Sequence, residues 1–230
     1  MNFVWSAFLD KRKRVRYAFP SMERLHFDFL NQAPLRESVR AAIQEAVGQM
    51  GNPSSLHAEG RAALRWMERA RSQVAALLRC RSEEVFFTSS GTEANAWALK
   101  GLASGASSKG KHLVVSAVEH LSVLQTVQRM EKEGWSVTVV PVDRCGRVDP
   151  EMVEAALTPS TVLISVQWAN GEVGTVQPMA ELVRRVKGKG ILFHSDAVAA
   201  SAQMPVDFGS MGADALSIAG NVWGGPPGAG

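Results

Sequence analysis

Four short stretches of this chain place ligand-seeking residues where a fold could gather them. In TSSGTEANAWALKG, residues 88–101, small and hydroxylated residues run straight into a helical pattern. The backbone N–H groups of Gly91 and Thr92 there suit an anion, phosphate being the obvious guest, with help from the helix dipole. The same residue types also cap helices with no ligand at all. In SAVEHLSV, His120 follows an apolar run, where its planar ring could lie against another planar ring; a satisfied structural imidazole is the plainer alternative. WANGEVGTVQ sets Asn170 and Glu172 in a polar turn around Gly171. FHSDAVAAS carries His194 and Asp196 at the end of a strongly apolar run, and a carboxylate there is costly unless a cation or hydrogen-bond donors meet it. Neither a Walker A loop nor a GxGxxG turn is present, which argues against an NTPase or a dinucleotide enzyme.

These stretches need a scaffold, and the rest of the chain predicts one. LRESVRAAIQEAVGQM spaces Val39, Ile43 and Val47 by four residues, as a helix requires, and GNPSS ends it. A longer helix is expected from about Leu56 to Arg79, with Ala63, Met67, Ala70, Val74 and Leu77 as a core-facing stripe. Six apolar runs then alternate with helical patterns: EVFFT, HLVVSA, SVTVVPV, TVLISVQ, GILFHSD and DALSIAG. Strands rich in Val and Ile without polar alternation, separated by helices, predict a three-layer α/β/α domain with a mostly parallel sheet. Ligands of such sheets bind beyond the carboxyl ends of the strands, where all four stretches fall.

Composition narrows the function classes. With 230 residues, 46% of them hydrophobic, the chain can bury one sizeable core. No run of 18 apolar residues suggests a membrane span, and Cys80 and Cys145 lack zinc or disulfide-framework spacing, so idle thiols in a reducing, cytoplasmic compartment are expected. Residues 1–24 read as a basic extension, with six Lys or Arg against Asp10 and Glu23. That segment is +4 in a chain of +3, so the remainder sums to about −1 and offers no general nucleic-acid surface. The basic run reads as a targeting or anchoring arm, an organelle matrix being implied if it targets, or as a stretch upstream of a true start at Met22.

In order and spacing, GNPSSLH, FTSSGTEAN, SAVEH, QWANGEVGTVQ, FHSDA and SIAGNVWGGPPGAG together resemble the cysteine desulfurases and selenocysteine lyases, pyridoxal-phosphate enzymes of the class V aminotransferase group. The resemblance runs from about Phe27 to Gly230 and implies the large domain of that fold over residues 25–230, without the smaller C-terminal domain. It implies that Gly91 and Thr92 hold the phosphate of pyridoxal 5'-phosphate, that His120 stacks on its ring and that Asn170 approaches its ring hydroxyl. Asp196 would pair with the protonated ring nitrogen, so that the ring can accept electrons.

The departures are as informative. The family's last motif is a Ser-x-His-Lys arrangement whose lysine attaches the cofactor covalently; here the matching residues are Ala219, Asn221 and Val222, and no lysine follows Lys189. Asn31, Gln32 and Ala33 stand where the family has an Ala-Thr-Thr type segment, and Ala199 replaces a cofactor-contacting glutamine. Neither cysteine matches the family's catalytic loop. The expectation is a catalytically impaired or silent protein, homo-oligomeric or paired with a related desulfurase, since family members are dimers. Two alternatives stand beside it: a pyridoxal-phosphate-dependent lyase acting on a small amino acid and completed by another polypeptide, and a binder of another small phosphorylated ligand. The final glycine-rich run is expected to be loop.

Overall fold

The structure is a computed structural model that describes residues 25, 27–29 and 31–230; the basic extension over residues 1–24 lies outside the described residues. The helices in chain order are α1 (Glu37–Val47), α2 (Ala58–Leu78), α3 (Gly91–Gly105), α4 (Leu121–Lys132), α5 (Pro150–Ala155), α6 (Met179–Val186), α7 (Val198–Gln203) and α8 (Phe208–Met211). Five strands alternate with them: β1 (His112–Ser116), β2 (Ser136–Val140), β3 (Thr161–Ser165), β4 (Leu192–Asp196) and β5 (Ala215–Ser217). All pair in parallel, in the order β2-β1-β3-β4-β5.

The three-layer arrangement follows from side chains alternating across the pleat. Leu113 and Val115 of β1 and Leu163 of β3 pack against Leu99 and Ala103 of α3 and Val123, Val127 and Met130 of α4. On the opposite face Val114, Ile164 and Phe193 pack against Val153 of α5 and Leu182, Val183 and Val186 of α6. β1 and β3 are buried along their whole length, as strands covered on both faces must be. Helix starts are specified locally. Ser90 caps α3 by accepting from Glu93 N–H, and Asp149 caps α5 ahead of Pro150 at the first helical position.

One polar row crosses this interior. His194 is fully buried; its Nδ1 lies 2.8 Å from Ser165 Oγ on β3 and its Nε2 lies 2.9 Å from Ser217 Oγ on β5. Burial pushes the imidazole pKa down to about 4, so the ring is neutral and exchanges hydrogen bonds with both hydroxyls.

Three expectations need correction. EVFFT forms no strand: Glu84 ends a 3-10 turn, the sheet-type bonds of the run are the reciprocal pair between Thr88 and Gly230, and one rung does not make a ladder. The stripe on α2 is not core, because this helix meets the short 3-10 turn at Ser82–Glu84 rather than the sheet, leaving Ala70 and Leu77 exposed and burying Gly60, Ala75 and Leu78. The terminal run is not bare loop either, since Gly220–Trp223 forms a 3-10 turn with Val222 buried. Among the described residues no helix is long and apolar enough to cross a membrane.

Candidate cofactor site

Strand order 2-1-3-4-5 reverses direction between β1 and β3, and parallel sheets of this kind open a ligand crevice at the carboxyl end of such a switch point. The fold delivers the predicted residues to that edge. His120 follows β1 and caps α4, Asn170 follows β3, and Asp196 ends β4. Gly91 and Thr92 open α3, and Gly91 lies at the same edge against Val198 and Ala219, which follow β4 and β5.

Asp196 is nearly buried. Its Oδ1 accepts from Val198 N–H at 2.9 Å and its Oδ2 from Asn95 Nδ2 at 2.7 Å. Desolvation raises its pKa; the two donors and nearby His120 pull the other way. No Lys or Arg pairs with it among the described residues, and His120 is the one nearby titratable group that favours its charge. His120 is exposed, and its Nδ1 is tethered by Ser122 N–H at 3.1 Å and Ser122 Oγ at 2.7 Å. Since Nδ1 accepts from the backbone, a neutral ring carries its proton on Nε2. Asn95 donates to Ser122 Oγ as well as to Asp196, linking the two site residues, while its own Oδ1 is buried without a partner among the described residues.

Among the described residues nothing accepts from the backbone N–H of Gly91 or Thr92, as an anion cradle requires. Gly91 is needed for close approach: a Cβ there would lie 2.9 Å from Val198 Cγ2 and 3.3 Å from Ala219 Cβ. Asn170 is more committed than its sequence suggested. Its Oδ1 accepts from Glu172 and Val173 N–H and its Nδ2 donates to Val118 O at 3.3 Å, so the side chain braces its own turn.

The turn after β5 is of another character. Ala219 and Val222 are buried hydrocarbon. Asn221 is committed to the segment before α1, donating through Nδ2 to Asn31 O at 2.6 Å while its backbone carbonyl accepts from Ala33 N–H. Gln32 Nε2 reaches Gly225 O at 3.3 Å, so the segment 31–33 and the terminal turn hold each other. All six lysines of the described residues lie toward the opposite edge. Lys109 and Lys111 precede β1, Lys132 precedes β2, Lys187 and Lys189 precede β4, and Lys100 pairs with Glu133 beyond α4.

A family model for class V aminotransferases matches residues 29–230, and the chain belongs to that family. It is 42% identical to a cysteine desulfurase IscS of Dictyoglomus turgidum over 90% of this chain and 52% of that one, and 39% identical to a putative cysteine desulfurase of Bacillus subtilis over 91% and 55%. Among solved structures, SspA in complex with cysteine superposes with a TM-score of 0.85 at 32% identity, covering 89% of this chain and 59% of that one. A NifS-like protein does so with a TM-score of 0.83 at 33% identity, covering 90% and 57%. The chain thus spans about half the length of these relatives. The fold is that of the pyridoxal-phosphate-dependent transferases, and pyridoxal phosphate is the family's cofactor.

The residues present fit that cofactor in part. A buried carboxylate with no Lys or Arg partner among the described residues, an exposed imidazole beside it and two free N–H groups at a helix start suit a pyridinium ring bearing a phosphate. Val222 does not suit covalent attachment. Sequence reasoning missed Asn95 and Glu119, although both lie inside the quoted motifs; what they do depends on partners 48 to 101 residues away.

Proposed function

We propose that this chain binds pyridoxal phosphate without a covalent bond, is silent in cysteine desulfuration by itself, and serves as a partner or assembly subunit alongside a complete desulfurase. The observation that carries the reading is Val222, buried hydrocarbon at the position of the family's attachment lysine, with the described lysines toward the other edge. Pyridoxal phosphate, when bound, supplies an electron sink for bonds at a substrate's α-carbon. The chain's own groups would hold it. Asp196 would keep the ring nitrogen protonated, His120 would cover one ring face, and the Gly91 and Thr92 N–H groups would meet the phosphate. Among the described residues no amine stands ready to move a proton at the substrate carbon, and such general acid–base groups contribute about 10² to 10⁴ in rate.

The experiment is an absorbance titration with pyridoxal phosphate, then borohydride reduction and peptide mapping, with sulfide release from cysteine measured alone and with a full-length desulfurase. Saturable binding, no label in the crevice and no sulfide from the chain alone are expected. A lysine labelled inside the crevice together with sulfide release would defeat the reading. The assembled recognition groups favour one second reading, in which another polypeptide supplies the amine. Sulfide released only by a mixture with a lysine-bearing partner that is inactive alone would select it.

A further inference from the structure

Backbone pairing between β1 and β3 ends at Val115 and Ser165, short of the turns that carry His120 and Asn170. Beyond that point the chain from β1 enters α4 on one face and the chain from β3 leads toward α6 on the other. Something other than the ladder must hold the two turns together across the crevice. Gln167 N–H donates to Glu119 Oε1 at 2.8 Å, and Gln167 Nε2 donates back to Val118 O at 2.5 Å. Asn170 Nδ2 donates to the same Val118 carbonyl, and Ser116 Oγ donates to Glu119 Oε1 at 2.5 Å.

We infer that Glu119 is a positioning residue of the candidate cofactor site, its buried carboxyl clasping the His120 turn to the Asn170 turn across the switch point. One oxygen takes both donors, while Oε2 is buried with no partner among the described residues. That asymmetry suits a neutral acid, since an ionised carboxylate with an orphaned oxygen would be far more costly. Burial pushes the Glu119 pKa up to about 8, and the Asp196 charge adds to the rise. The clasp therefore asks of the side chain only an acceptor at Oε1 and the volume to fill its pocket, and glutamine supplies both.

The inference rests on the reading that this crevice receives pyridoxal phosphate, so the test separates the two. Amide hydrogen exchange at Gln167, in protein without cofactor, reads the clasp itself; pyridoxal phosphate affinity reads its consequence. Infrared difference spectra against Glu119→Gln should show a protonated carboxyl stretch at neutral pH. Glu119→Gln should keep wild-type exchange and affinity, while Glu119→Ala should speed exchange at Gln167 and weaken affinity about tenfold, the worth of one lost hydrogen bond. Wild-type exchange at Gln167 in Glu119→Ala overturns the inference. So does failure of glutamine to rescue, or an alanine effect spread evenly over β2 and β4, which would mark a general fold defect. If wild-type protein binds no pyridoxal phosphate while Gln167 still responds, the clasp stands and the cofactor reading falls.

Discussion

Along β1, β3 and β4 the carboxyl edge of the sheet is polar and interlinked: Asn95 joins Asp196 to Ser122 and so to His120, and Glu119 joins the turns on either side of the crevice. A few residues further on, the turn after β5 holds Ala219 and Val222 as buried hydrocarbon and spends Asn221 on the backbone of Asn31. Both regions line one edge and both are well connected, yet only the first carries groups that could recognise a charged aromatic ligand. Recognition and covalent chemistry are therefore housed in separable parts of this fold. Losing the second need not disturb the first, because among the described residues no hydrogen bond of Asp196 or His120 runs through the terminal turn.

The sharpest way to break that contrast is to put the amine back. Val222→Lys should yield a borohydride-stable pyridoxal label at position 222 where wild type has none in the crevice; an unlabelled variant that still binds the cofactor would mean the turn misplaces the amine. Asp196→Asn tests the other region. Losing a charge-assisted hydrogen bond, worth about 1.5–3 kcal/mol, should weaken pyridoxal phosphate about 10- to 150-fold by fluorescence titration.

Two buried groups tilt stability with pH in opposite senses. His194 titrates near 6.5 unfolded and about 4 folded, so the unfolded chain binds the extra proton between these values and stability falls as pH drops through that window. Glu119 titrates near 4.5 unfolded and about 8 folded, so the folded chain keeps a proton the unfolded chain has lost, and stability falls as pH rises from 4.5 through 8. Between pH 6.5 and 8 Glu119 acts without His194. The melting temperature should decline there in wild type and flatten in Glu119→Gln; equal slopes would remove the buried acid. The smallest effect is expected from Ala219→Ser beside Gly91. A hydroxyl near the cradle should tighten phosphate-bearing ligands only a few-fold, the range of one neutral hydrogen bond of about 0.5–1.5 kcal/mol, and inorganic phosphate is the control.

Much of this was written locally. HLVVSA, TVLISVQ and GILFHSD announce buried parallel strands because their consecutive Val, Leu, Ile and Phe residues leave no polar face, and His120 and Asp196 stand out as polar groups after or at the end of such runs. EVFFT has the same composition but no flanking strands, and pairing is a property of neighbours. The stripe of α2 has a helix's period without a sheet to face, so periodicity located the helix and misjudged its burial. Asn95 and Glu119 were in plain view within GTEAN and SAVEH. Their meaning lay in Asp196 and Gln167, and one-dimensional spacing cannot supply a partner of that kind.

The hydroxyl–imidazole–hydroxyl row through Ser165, His194 and Ser217 has an effect on assembly of the edge. β5 has only three residues, too few for hydrophobic alternation alone to choose among neighbouring alignments. Sliding it by one residue would turn Leu216 toward the ring and strand His194 Nε2 without a mate, so the row serves as an alignment dowel. Because Val222 follows five residues later, the same dowel decides where that side chain, or any amine engineered in its stead, comes to rest.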